Sequence, residues 1–245
     1  MATNCLARFD SKNSYSKPTG EPNTAKATTK EADVGGQGLD SILLSRVKTG
    51  FWALDHPPVT AGIIRLIKTD IKKLPEPVKE ILVKGGIKFC IASTLVDQYP
   101  ALKNTEGKGY DGHTYKRCPG MFSQNTVVVC QHVVDEATDN VEPALPDASI
   151  EQTFFHEIGH ALDQCGGDYS LTDEYRHCYW LDIARIPDDA ASRLSYYMQK
   201  STTGQKESCA EITSVIIGST ERNAEDIKTY FPLTMAFLRK KLNMP

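Results

Sequence analysis

The segment Thr153-Phe-Phe-His-Glu-Ile-Gly-His-Ala-Leu-Asp163 has the residue types and spacing that chemistry needs. On a helix, His156 and His160 stand four apart, so both imidazoles leave one face and can share a metal ion. Glu157 lies about 100° further round the helix. From there a carboxylate can take a proton from metal-bound water without closing the coordination shell. Chance produces H-E-x-x-H in a chain of this length with an expectation of roughly 0.01. Zn2+ is the ion expected, since a catalytic zinc takes three protein ligands and keeps a fourth position for water.

A third donor is therefore needed. The metzincin arrangement requires Gly at 163 and His at 166, where this chain has Asp163 and Gly166. Peptide deformylase requires an upstream Cys in an E-G-C-L-S context, which neither Cys118 nor Cys130 supplies. Downstream carboxylates and imidazoles are Asp168, Asp173, Glu174, His177, Glu207, Glu211, Glu221 and Glu225. Glu207-Ser-Cys-Ala-Glu211 differs from the others, because it sets two carboxylates four apart on one helix face beside the apolar run Ile212 to Ile217. One can bind metal while the other accepts the free N–H of a ligand histidine. Asp163, one turn beyond His160, is expected to support the site or the helix end rather than to bind metal. His132 and His177 fit structural roles, and His113, in a Gly-rich loop, is a candidate substrate contact.

The string H-E-I-G-H-A-L-D, followed by E-S-C-A-E, resembles gluzincin metallopeptidases related to the anthrax lethal factor catalytic domain, the Pro-Pro endopeptidases and the Mlc titration factor family. The resemblance covers about residues 85–220. It implies a zincin-like fold in which a small mixed sheet lays an edge strand over the cleft, above an active-site helix and ahead of a mostly helical C-terminal half. It implies Glu207 as third zinc ligand and Glu211 as the support of a ligand histidine. It also implies a tyrosine near the metal that stabilises the oxyanion. That tyrosine is Tyr197 or Tyr196, ten or eleven residues before Glu207, with Tyr197 preferred. Cys209 stands where relatives commonly have phenylalanine. The stretch Pro119 to Val129 resembles the segment that leads into the edge strand, where an extended peptide binds by strand addition.

Helices and strands must position these groups. Phe154, Phe155, Ile158, Ala161 and Leu162 cover most of the active-site helix, which predicts burial. Ser149 and Gln152 have capping-box spacing at its start. Gly159 costs such a helix about 1 kcal/mol relative to alanine, so a close backbone crossing is expected there, and small Ser208 and Ala210 would let the second helix approach. Elsewhere, helical spacing runs from Val59 to Leu74 and, after Pro75 and Pro77, to Leu82. Strands are predicted at Ile87 to Ala92 and Asn125 to Cys130. Helices are predicted from Ser149 to Cys165, Thr172 to Ile186, Asp188 to Gln199, Lys206 to Ile217 and Arg222 to Leu242. Helices, then strands, then helices give an α+β class.

The chain has 245 residues, a net charge of −3, 24% charged and 40% hydrophobic residues. These are globular values with no basic footprint, so no nucleic-acid partner is expected. The apolar runs are too short for a membrane anchor. Residues 1–38 are polar without periodicity and are expected to be a disordered leader, either a passive tail or an uncleaved export address; residues 39–245 would form the metallopeptidase domain. The opening residues lack the apolar core of a cleaved signal peptide. That leaves a cytoplasmic location, or export into a host cell by a signal-independent route. Seven cysteines without C-x2-C spacing are expected to be mostly reduced, with Cys118–Cys130 and Cys165–Cys178 as the conceivable bridges. The function expected is a zinc-dependent endopeptidase acting on a protein or peptide substrate, with an exported toxin or effector protease that cleaves a host protein as its more specific form. The alternative is a non-proteolytic zinc-containing regulator that grips a partner.

Overall fold

The computed structural model describes residues 38–245, except 54, 108–112, 200 and 221–222. The expected leader lies outside the described residues apart from Gly38. The chain begins with α1 (Leu39–Ser45), β1 (Val47–Thr49), α2 (Ala61–Lys73), α3 (Glu76–Lys84), β2 (Lys88–Ala92) and α4 (Leu95–Gln98). Two further strands follow, β3 (Gly120–Ser123) and β4 (Thr126–Cys130). The remainder is helical: α5 (Asp147–Cys165), α6 (Asp173–Ile183), α7 (Asp188–Leu194), α8 (Thr202–Ile216), α9 (Ala224–Tyr230) and α10 (Pro232–Lys241). The fold is α+β, with one small mixed sheet and a helical C-terminal half, as the sequence predicts.

The sheet order is β1-β2-β4-β3, with β1, β2 and β4 parallel and β3 antiparallel at one margin. Period-2 alternation in β2 and β4 sends Phe89, Ile91, Val127 and Val129 into the main core, where α5 contributes Phe154, Ile158 and Leu162. The opposite face carries Cys90, Ala92, Val128 and Cys130 into a smaller cluster with Leu95, Tyr115 and Met121. Each large apolar side chain sealed in these layers stabilises the fold by about 1.5–3 kcal/mol. The β3–β4 hairpin turns through Gln124 and Asn125, both left-handed at φ 49° and 57°. That two-residue geometry matches strand twist. Asn125 also accepts from the Gln164 amide at 2.7 Å, which fastens the turn to the end of α5.

Several boundaries differ from the predicted ones. The helix predicted from Ser149 starts at Asp147 behind Pro146, and no side chain caps it, so Ser149 falls in the first turn and forms no capping box. The predicted Arg222–Leu242 helix is two helices, broken at Phe231 because Pro232 lacks an N–H and suits only a first turn. Buried Asp182 of α6 closes that start by accepting from the Thr234 N–H and hydroxyl, both at 2.8 Å. Beyond Leu194 the predicted Asp188–Gln199 helix tightens into a 3-10 turn, Ser195–Met198. Cys90, Cys130, Cys165, Cys178 and Cys209 are free thiols, whereas Cys118 is disulfide-bonded. Neither conceivable bridge is formed.

Candidate metal centre

Two helices carry the centre. α5 and α8 pack against each other, and the crossing is set by Gly159, where a Cβ would stand 2.7 Å from the Ala210 Cα and closer still to the Ala210 carbonyl oxygen. Backbone therefore lies on backbone at this point, which is the reason for a glycine inside a buried helix. The close approach carries α8 carboxylates to the α5 imidazoles. His156 Nε2 is 3.1 Å from His160 Nε2 and 3.2 Å from Glu207 Oε2, and the third edge, from His160 Nε2 to Glu207 Oε2, is 3.5 Å. All three residues are buried, and among the described residues they form a group able to hold a metal ion.

These spacings test the fit. Three donors held at about 2.0–2.2 Å around a tetrahedral ion stand about 3.3–3.5 Å apart, close to the edges observed. Two imidazole nitrogens and a carboxylate oxygen also form a donor set that zinc favours. The far side of His156 supports this use of the ring. Its Nδ1 is 2.6 Å from Glu211 Oε2, so an N–H there donates to the carboxylate and leaves the Nε2 lone pair facing the centre. Burial works against charge on His156, yet the Glu207 and Glu211 carboxylates together raise its pKa well above the ordinary value. Burial likewise opposes charge on Glu207, but the two imidazoles hold that carboxyl far down.

Glu157 is fully buried, and neither oxygen has a hydrogen-bond partner within bonding distance among the described residues. Burial pushes its pKa up to about 8, and Glu207 adds to the rise, while His156 and the Phe122 backbone N–H oppose it. Edge strand β3 lies directly over this carboxylate. At Gly120 a Cβ would meet Thr153, the Val128 oxygen at 2.9 Å and the Glu157 Cγ at 3.3 Å, so the strand settles on α5 only because glycine is there.

The two tyrosines separate. The Tyr196 hydroxyl lies against Glu207, and burial with that carboxylate pushes its pKa far up. Tyr197 instead faces Glu211 and Asn223. Tyr179, buried on α6, donates its hydroxyl to the Tyr197 carbonyl at 2.7 Å and also lies 3.2 Å from the Gln199 carbonyl, clamping the turn that presents both. Tyr175 bonds Ser208 at 2.7 Å and steadies α8. Neither α6 tyrosine is marked by a motif; their four-residue spacing on one helix face is the only trace in the sequence.

The remaining candidates are elsewhere. Asp163 accepts from the Ser170 N–H at 2.8 Å and hydroxyl at 2.6 Å, fastening the Tyr169–Leu171 turn to α5. Asp173 pairs with Arg176, Glu174 with Lys241 and Glu225 with Lys228. His132 bonds the Glu142 carbonyl, and His113 pairs with Glu136. Glu221 lies outside the described residues. A cavity of about 410 Å³, lined by Lys73, Ser149, Glu151, Gln152, Phe155 and Ser219, opens at the N-terminal end of α5, and no metal-centre residue lines it.

Comparison with protein families finds no match, and none is found among curated proteins. Among solved structures, the chain is similar to the PRO-PRO endopeptidase PPEP-2 from Paenibacillus alvei, with a TM-score of 0.54 and 22% identity over 82% of this chain and 99% of that one. At that identity the likeness is one of fold: a small mixed sheet, a central helix and a helical C-terminal half, shared over almost the whole length of an endopeptidase.

Proposed function

We propose that this protein is a zinc-dependent endopeptidase. The observation that carries the proposal is the convergence of His156, His160 and Glu207 at tetrahedral spacing beside Glu157, a buried carboxylate with no hydrogen-bond partner within bonding distance among the described residues. His156 Nε2, His160 Nε2 and a Glu207 oxygen would hold the ion, with Glu211 fixing the His156 ring. When bound, zinc polarises a carbonyl and lowers the pKa of water toward about 7. Glu157 takes a proton from the attacking water on a carboxylate oxygen and passes it to the leaving amine. A pKa near the working pH suits both transfers. Tyr196, against Glu207, is the nearer hydroxyl for the developing oxyanion, and Tyr197 the alternative. The outer margin of β3 would align an extended peptide over Glu157. As an exported effector, the protein would perform this cleavage on a host protein.

The test is metal analysis together with cleavage of a peptide library by wild type and Glu157→Ala. Equal stoichiometric zinc in both, with cleavage by wild type alone, is expected. Absence of zinc from both would overturn the reading. Zinc in both without cleavage by either would favour the partner-binding regulator.

A further inference from the structure

The margin of the sheet opposite β3 has features of a binding surface. Among the described residues β1 pairs only with β2, in parallel register Val47↔Phe89 to Thr49↔Ile91. The Phe89 N–H donates to the Arg46 carbonyl and the Gly50 N–H to the Ile91 carbonyl. In a parallel ladder, alternate residues direct both backbone groups to the same neighbour. Arg46, Lys48 and Gly50 therefore face β2, and the N–H and C=O groups of Val47 and Thr49 point out of the sheet. They have no hydrogen-bond partner among the described residues.

Beside that margin, Val47, Lys48 and Thr49 face Ile64 and Lys68 of α2 across an open groove of about 490 Å³. Val47 and Ile64 are half-buried against the main core and floor it; Lys48 and Lys68 are exposed and form no ion pair among the described residues. Immediately after β1, Phe51 is 79% and Trp52 49% exposed, although the loop is pinned by Ala53 N–H and His56 Nδ1 on the Asp97 carboxylate. Outward-facing aromatics are expensive in water and effective as anchors for a partner.

We propose that the β1 margin is a docking site for an acidic polypeptide segment in extended conformation, added to the sheet as a fifth strand. The outward groups of Val47 and Thr49 would supply the backbone bonds, Lys48 and Lys68 the selection for acidic side chains, and Phe51 with Trp52 the apolar anchor. A second copy of this chain is disfavoured, because pairing two β1 strands brings their lysines together. Residues 1–37 carry a slight excess of basic side chains and have no charge complementarity to the groove. The site is independent of the metal centre.

The probe is a fluorescein-labelled decapeptide of alternating glutamate and valine, followed by anisotropy at low ionic strength. Binding is expected, with a loss of at least tenfold for the lysine–valine peptide and for the same sequence N-methylated at alternate residues. Thr49→Pro removes an outward N–H and no ladder bond, a position where edge strands tolerate proline, and should also lose at least tenfold. Lys48→Glu with Lys68→Glu, both on the surface, should do the same and serves if the proline variant does not fold. Equal binding of the N-methylated peptide, or of the lysine-reversed protein, would overturn the proposal. So would binding to phosphatidylcholine–phosphatidylglycerol vesicles without peptide binding, which would make the aromatic loop a lipid contact, or dimerisation by light scattering without peptide binding.

Discussion

Gly159→Ala tests how the centre is assembled. Intrinsic helix propensity favours the substitution by about 1 kcal/mol. The new methyl would stand 2.7 Å from the Ala210 Cα, among backbone atoms that cannot rotate away. The carbonyl oxygen of Ala210 would be nearer still, at 2.3 Å, so restoring an ordinary contact of about 3.5 Å requires α5 and α8 to separate by about 1.2 Å. Overpacking of a tight interior costs about 1–3 kcal/mol, and a backbone obstacle belongs at the upper end, so about 2 kcal/mol of net destabilisation is expected. The same shift carries Glu207 away from both imidazoles by more than the ~0.2 Å tolerance of a metal site. Urea unfolding of the metal-free protein and competitive zinc titration read the two effects. Gly62→Ala is the control, since the nearest atom to its Cβ is Thr60 Oγ1 at 3.6 Å, and it should not destabilise the fold. A Gly159→Ala protein as stable as wild type, with unchanged zinc affinity, would refute the argument that this crossing positions the ligands.

Other outcomes follow from the same geometry. Glu207→Ala should abolish tight zinc binding, whereas Glu211→Gln should lower affinity about 10–100-fold by weakening the acceptor of the His156 N–H; the reverse order in a competition titration would exchange their roles. Tyr196→Phe should reduce kcat by about 10²-fold at nearly constant KM, and Tyr197→Phe should chiefly cost about 1 kcal/mol of stability; equal losses of kcat would contradict the separation of the two rings. For Glu136, burial opposes charge, but the Thr114 amide and His113 hold the pKa down to about 2 from 4.5. A depressed carboxyl stabilises the fold above its unfolded value and loses that contribution as pH falls from 4.5 toward 2. Glu136→Gln should therefore flatten the acid limb of stability in that window, and urea midpoints that still fall there as in wild type would exclude the pair as its source.

The parts of this molecule that were legible in the sequence share a physical cause: local pattern. H-E-x-x-H marks α5 because helix geometry alone brings residues four apart onto one face, and Gly159 implies a crossing because its cost needs a reason. β2 and β4 are legible as compact apolar runs. β1 and β3 are not, because three or four residues carry no measurable period and each is a strand only by pairing with a neighbour. The sequence does not separate Tyr196 from Tyr197 for a related reason. They are adjacent in a 3-10 turn whose orientation is fixed by Tyr179, a residue 18 positions away from Tyr197. The break at Phe231 was visible in Pro232, but the apolar spacing on either side concealed it.

The α5–α8 crossing has a consequence for the chain as a whole. His156 and Glu207 are 51 residues apart in sequence and meet at 3.2 Å. An ion shared by them would be a reversible crosslink around the loop that contains α6 and α7. By the relation for crosslinked chains, closing a loop of that length removes about 4 kcal/mol of entropy from the unfolded state. Such an ion would thus act as a clasp on a fifth of the polypeptide, and chelation would lower the stability of the whole fold by a corresponding amount.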